Sequence, residues 1–290
     1  MDGQGMRGRS GEAWGSGNEW TVRECVGGRG KRGGEQDSLA CHGTRGLDRG
    51  PFGEWPPTAG VLTAELHVHS AHSYDGRDPV RDLLERAAAV GLDAIAVTDH
   101  DVIEGSLEAV EAAPEYGLLA IPGMEVSSAA GHVLALGVEE AVEPGLPFGE
   151  TVDRIHDLGG IAVVPHPFQK SRSGVLAKIS TDELEAADAI EVYNSRLLTG
   201  RANRRAARFA RRRNIPMTAG SDAHISEMVG QATTTVDADE RSVRAILEAV
   251  REGRTTVEGT RTPWHISFRQ AAGGVRRRVT ARFASLLERG

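Results

Sequence analysis

The 290 residues are 39% hydrophobic and 26% charged, enough for one sizeable α/β domain with its own core. No apolar run is long enough to span a membrane and none marks a secretory leader, so a soluble cytoplasmic protein is expected. The net charge of −7 argues against general coating of nucleic acid, and two cysteines, Cys25 and Cys41, argue against a disulfide scaffold.

Residues 1–60 differ in texture from the rest. They hold 16 of the 36 glycines, both cysteines and three of the four tryptophans, with eight acidic and eight basic side chains and no apolar period. Such a stretch buries too little apolar surface to offset its backbone entropy, so it is expected to be disordered or to precede the natural start. From Val61 onward, strand and helix signals alternate. Expected strands are Thr63–Val68, Ala94–Thr98, Leu119–Val126, His132–Gly137, Ile161–Pro165, Ala189–Tyr193, Pro216–Ala219 and a final Thr255–Glu258. Most are short, rich in Val, Ile and Ala, and apolar on both faces, as in a buried parallel sheet. Between them, Asp78 and Pro79 signal a helix start, with Val80, Leu83, Leu84 and Ala87 on one face and Gly91 at the end. A further helix is expected over about 148–159. Ser180 and Glu183 have capping-box spacing, and Val243, Ile246, Leu247 and Val250 form one stripe over 242–251. About seven βα units of this kind predict a parallel barrel, incomplete or distorted.

The chemical side chains fall at the ends of these strands. His67 and His69 close the first and, two apart, point to one side. Asp75 follows in the next loop, His100 ends the second strand and Glu125 the third. His132 opens the next strand, His166 ends another, and Asp222 and His224 follow Ala219. The strand C-termini of a parallel barrel converge on one mouth, which would gather these nine groups. Imidazoles mixed with carboxylates suit zinc, manganese or iron, and nine ligands are too many for one ion. Two or three divalent ions are expected if all nine bind.

These residues resemble the PHP (polymerase and histidinol phosphatase) domain. The resemblance rests on His-x-His (His67, His69), Ser-x-Asp (Ser73, Asp75), Thr-Asp-His-Asp (98–101), Gly-x-Glu (123–125), Gly-His (131–132), His-Pro (166–167) and Ser-Asp-Ala-His (221–224), in order over about 61–258. It implies a distorted (β/α)7 TIM-like barrel with the metal site at the strand C-termini; separately, the composition of 259–290 predicts a basic, partly helical tail. The resemblance also implies three metals: one on His67, His69, Glu125 and Asp222, a second on Glu125, His132 and His166, and a third on Asp75, His100 and His224. Nucleotide-processing members of the family carry a helical insertion between Gly-His and His-Pro; here 33 residues separate His132 from His166, room for one helix between two strands.

The implied activity is hydrolysis of a phosphate mono- or diester of a nucleotide, short oligonucleotide or other small phosphometabolite by a metal-bridging hydroxide. Alternatives are histidinol-phosphate hydrolysis and, from another class, a non-catalytic metal-binding assembly module. An amidohydrolase would expect a bridging lysine, and neither Lys170 nor Lys178 ends a strand. Asp99 is expected to orient a ligand, and Asp101 either relays a proton or caps a helix. Lys170, Arg172 and Arg196 are candidate phosphate grips, Arg196 standing against a surface salt bridge. The run RANRRAARFARRR (201–213) is expected to be a solvated outer helix face, with nucleic-acid binding as the alternative. Residues 261–290 carry seven arginines against one acid and an apolar helical face, expected to dock on the barrel or on a partner rather than a membrane.

Overall fold

The computed structural model describes the backbone of residues 19–22, and residues 60–169, 174–175, 179–180, 182–196 and 200–261. The expectations for both cysteines, Lys170, Arg172, Lys178 and the tail beyond Arg261 lie outside these residues. The strands are β1 (Glu19–Val22), β2 (Gly60–Val68), β3 (Ala94–Val97), β4 (Leu119–Ala120), β5 (Gly123–Ser127), β6 (His132–Leu136), β7 (Ile161–Val164), β8 (Ala189–Asn194), β9 (Met217–Gly220), β10 (Ala232–Ala238) and β11 (Thr255–Thr260). The α-helices are α1 (Val80–Ala89), α2 (Glu104–Ala112), α3 (Phe148–Asp157), α4 (Arg201–Arg213) and α5 (Val243–Arg251).

The strands form two sheets, ordered β1-β11-β10-β2-β3-β4 and β5-β6-β7-β8-β9. The described residues therefore do not form one continuous parallel barrel. The sheets meet at two isolated parallel bridges, Val68 with Ala223 and His100 with Glu125. Three local causes account for the difference. Pro122, which has no N–H to donate, splits the expected strand 119–126: β4 pairs with β3, while β5 pairs with β6 in the other sheet. Only residues 128–131 separate β5 from β6, too few for a crossover, so the pair is antiparallel, and β6 runs antiparallel to β7 as well. Finally β10, absent from the expected set, lies antiparallel between β2 and β11, its Ala-Thr-Thr-Thr-Val-Asp-Ala alternating buried and less buried positions. Within 1–60, β1 adds an unanticipated antiparallel edge to β11.

The helices follow their sequence signals more closely. In α1, Val80, Leu83, Leu84 and Ala87 are the buried face, and Gly91 follows in the left-handed region at φ 81°. Asp78 does not cap it; its carboxylate accepts the Ser226 N–H at 2.6 Å instead. Ser180 and Glu183 exchange the two bonds of a capping box at 2.8 and 3.1 Å, and Ser242 caps α5 through the Ala245 N–H. Leu66 of one sheet packs with Leu134 and Val163 of the other, and Ile246 and Val250 of α5 close the same cluster. The two sheets thus share this cluster. Replacing Leu134, 1% exposed, by Ala removes a side chain that both sheets share. Unfolding in denaturant is expected to show a loss of about 2–5 kcal/mol; a loss below about 1 kcal/mol would mean that the core does not couple the sheets.

Candidate metal centre

All nine expected ligands come together between the two sheets. The end of β2 is clasped by the segment after β9: the His69 N–H donates to the Ala223 carbonyl at 2.7 Å, and the Ala223 N–H to the His67 carbonyl at 3.3 Å. This clasp brings Asp222 and His224 against the paired histidines, with His69 Nε2 3.8 Å from Asp222 Oδ1 and the His69 and His224 rings 4.4 Å apart. Asp75 meets His224 Nε2 at 2.6 Å and His100 Nε2 at 3.6 Å, and Ser73 steadies Asp75 by donating its hydroxyl at 2.9 Å.

Glu125 sits at the centre, 1% exposed, and its two oxygens face different partners. Oε2 lies 3.1 Å from His67 Nε2 and 3.2 Å from His69 Nε2, whereas Oε1 lies 2.8 Å from His132 Nδ1 and 3.3 Å from His166 Nε2. Several of these nitrogens are buried without any hydrogen-bond partner: both in His69, and Nδ1 in His100 and His166. Orphaned imidazole lone pairs beside carboxylates fit a transition-metal donor set. Four groups bring their ligand atoms within 4.8 Å of one another: His67, Glu125 and His166; His67, His69 and Asp222; His69, His100 and Glu125; and His69, Asp75 and His224.

The site's charge balance shows in its titration. Burial pushes Glu125 up, but His67 and His100 with the bonds from His132 and His166 outweigh it and hold the carboxyl well below its usual range. Burial lowers His67, yet Glu125 and Glu191 carry it well above an ordinary histidine. His100 is raised to about 9 in the same way, burial being outweighed by Glu125 and Asp75. His69, pressed by burial and by His224, falls to about 4.

Two buried acids were missed in the sequence. Glu191 on β8 accepts from His67 Nδ1 at 3.0 Å, from the His166 N–H at 2.9 Å and from Asn194 Nδ2 at 3.0 Å. It thereby turns His67 Nε2 towards Glu125 and sets the backbone of a second ligand. Glu65, fully buried two residues before His67, accepts from the N–H groups of Ser221 and Gly230 at 2.9 and 3.2 Å and from the Ser221 hydroxyl. Burial raises its carboxyl to about 7 against those bonds. The signal was present, since Glu65 and Glu191 are the only acids in two largely apolar strands, and a buried charge needs a partner. Gly220 belongs to the same layer: a Cβ there would strike His67 and Glu191.

Asp99 does orient the site, through Ser70: its carboxylate accepts the Ser70 N–H and hydroxyl, both at 2.6 Å, just after His69. Asp101 is not a helix cap, because α2 begins after Ile103 without a side-chain cap; instead Asp101 Oδ1 accepts the Ser127 N–H at 2.7 Å. Arg196 lies in the centre, not in a surface salt bridge. Its Nη1 reaches Asp222 Oδ1 at 3.0 Å and His224 Nε2 at 2.7 Å, with the side chain 20% exposed. Among the described residues, four that are not glycine have positive φ, and three of them line this site: Asp101 (57°), His166 (32°) and Asp222 (51°). Each such conformation costs of order 1–3 kcal/mol and persists only where the surroundings impose it.

The fold thus gathers a donor set suited to divalent transition metals. A family model described as PHP-associated matches residues 200–255. The uncharacterized protein MJ0417 of Methanocaldococcus jannaschii is 31% identical over 175 residues, 59% of this chain and 69% of that protein. A phosphoribosyl 1,2-cyclic phosphate 1,2-diphosphodiesterase of Eggerthella lenta is 39% identical over 103 residues, 33% of this chain and 38% of that enzyme. Among solved structures, a two-domain protein of Bacteroides vulgatus containing a predicted PHP-like metal-dependent phosphoesterase aligns with TM-score 0.58 at 24% identity, covering 74% of this chain and 70% of its own. The chain belongs to one family with the MJ0417 protein, and its PHP-associated segment and its fold are PHP-like. No helix among the described residues is long and apolar enough to cross a membrane.

Glu191→Gln keeps the shape but removes the charge that faces His67 Nδ1. Metal affinity, measured by competition with a chelating dye, is expected to fall about 10- to 100-fold. Unchanged affinity would show that the Glu191 carboxylate does not support the ligand.

Proposed function

We propose that the chain hydrolyses a phosphate mono- or diester, of a nucleotide, short oligonucleotide or other small phosphometabolite, with two or three divalent ions of manganese, zinc or iron. The observation that carries this reading is the division of Glu125, one oxygen towards His67 and His69 and the other towards His132 and His166. In this reading His67, His69, Glu125 and Asp222 hold one ion, Glu125, His132 and His166 a second, and Asp75, His100 and His224 a third. The catalytic unit is residues 61–258, read as a distorted seven-stranded barrel closed through the two isolated bridges, and it works in the cytoplasm.

Such ions supply Lewis-acid charge to the phosphoryl oxygens and activate water at neutral pH. The chain's own residues do the rest. Glu125 sets the spacing between the two ligand sets, and Glu191 holds His67 in one ring orientation. Asp101 braces β5 through Ser127 with one carboxylate oxygen, and the other is the candidate proton relay. Arg196 donates into the Asp222 and His224 lone pairs that a metal would use. With a metal on those atoms, the partly exposed guanidinium would be available to grip phosphate through paired N–H groups.

Protein expressed with added manganese is expected to carry two or three ions per chain by elemental analysis, and one or fewer would reject the multinuclear centre. Glu125→Gln should lower kcat/KM by roughly 100-fold or more, since several kcal/mol of charge stabilisation depend on the ions it spaces. A screen over nucleotides, oligonucleotides and histidinol phosphate reads this out.

Arg196→Ala is expected to cost about 1.5–3 kcal/mol, roughly 10- to 150-fold in kcat/KM, with metal content kept. Arg196→Lys should recover only part, because a point charge lacks the planar fork. Full activity in the Ala variant would remove Arg196 from the substrate grip.

A further inference from the structure

The helix α4 carries seven arginines and no acid in a chain whose net charge is −7. Arg201, Arg204, Arg205, Arg208, Arg212 and Arg213 are exposed, while Asn203, Ala206, Ala207 and Ala210 form the buried face. Among the described residues none of these six meets a carboxylate. Arg205 and Arg213 lie over the Phe168 and Phe209 rings at 4.3 and 4.2 Å.

A merely solvated face would not be built this way. Arg201 and Arg205, Arg204 and Arg208, and Arg208 and Arg212 are like charges one turn apart, which repel. Arg201, Arg204 and Arg205 also stand at the helix's positive end, where anions are favoured. The helix thus loses stability that an external polyanion would restore. Arg261 adds a further positive charge beside Gly200 and Arg204.

The face is joined to the metal centre. Phe168, under Arg205, is two residues beyond His166. Asn203 exchanges hydrogen bonds with the Asn194 backbone, and the Asn194 side chain donates to Glu191 and Asp222. At the centre itself Tyr74, 73% exposed, stacks on His100 with ring centroids 4.9 Å apart. A cationic track combined with an exposed aromatic is the pairing that binds unpaired bases and their backbone.

We propose that the exposed arginine face of α4 is a phosphate-backbone track for single-stranded nucleic acid, which leads to the metal centre and its Tyr74 platform. What the bound strand is for rests on the phosphoesterase reading above.

The test is equilibrium binding of the full, metal-loaded chain to a fluorescent oligothymidylate of about 20 nucleotides, several times the smallest single-strand sites, made with hydrolysis-resistant phosphorothioate linkages. Four arginine–phosphate contacts give a salt slope of about 3, a roughly 50-fold loss of affinity between 50 and 200 mM salt. Changing Arg201, Arg204, Arg208 and Arg212 together to Gln should abolish most of that slope while hydrolysis of bis(p-nitrophenyl) phosphate continues. Should that variant fail to fold, the unmodified chain decides, since a slope below about 1 overturns the track. So does a folded variant with the same slope, or tighter binding to a duplex, to polyglutamate or to phosphatidylserine vesicles. Arginine-dependent binding without any ester hydrolysis would uphold the track and sink the phosphoesterase reading instead.

Discussion

The structure turns on one buried carboxylate. Glu125 is almost wholly out of water, so its charge must be met by partners on every side or the fold pays several kcal/mol. Those partners come from β2, from the loop after β3, from the start of β6 and from the end of β7. The backbone beneath is pinned as well: the Glu125 N–H donates to the Asp99 carbonyl at 3.1 Å, and the Asp101 N–H to the Glu125 carbonyl at 3.0 Å. Because His100 bridges Glu125 across the gap between the sheets, the carboxylate that organises the ligands also stands at a seam of the fold. Neither sheet can shift without opening the centre.

Around it lies a second layer of acids, whose work is geometric. Glu191 ties His67 to the backbone of His166, and Glu65 ties the end of β2 to Ser221 and Gly230. Each joins elements distant in the chain, Glu65 and Ser221 being 156 residues apart. The positive φ angles of His166 and Asp222 fit this picture. A ligand held in a costly backbone conformation is aimed by its surroundings, not by local preference, and these acids provide part of that constraint.

Much of the centre was legible because ligand chemistry and strand ends are local signals. His67 and His69 announce themselves by residue type and spacing, and so do the His-Pro and Ser-Asp-Ala-His segments. The architecture was less legible where pairing is non-local. Nothing in Leu119–Val126 except Pro122 says that the chain changes sheets there, although the four residues between β5 and β6 already forbid a parallel crossover. The threonines of β10 read as loop, because their alternation becomes a strand only beside β2 and β11. Glu65 and Glu191 were passed over for the opposite reason: a charge within an apolar strand looks like an outward-facing residue until its partner, brought by another element, is known. Asp78 follows the same rule, since its local capping signal lost to a bond with Ser226.

How the centre is covered bears on what it can admit. The connection between β6 and β7 is short, and α3 within it packs on β6, β7 and the turn Glu183–Ala186, on the flank of the sheet. Among the described residues this connection leaves Tyr74 exposed over His100. A site meant only for a small monoester gains from enclosure, which strengthens every electrostatic contact by excluding water. An open face gives up some of that gain and needs binding energy from elsewhere, away from the reacting phosphate. An arginine-lined helix tied to the centre through Asn203 and Asn194 is a source of that kind. In the proposed track it would act on the parts of a substrate that extend beyond the metal centre, which would favour a chain of phosphates over a single one.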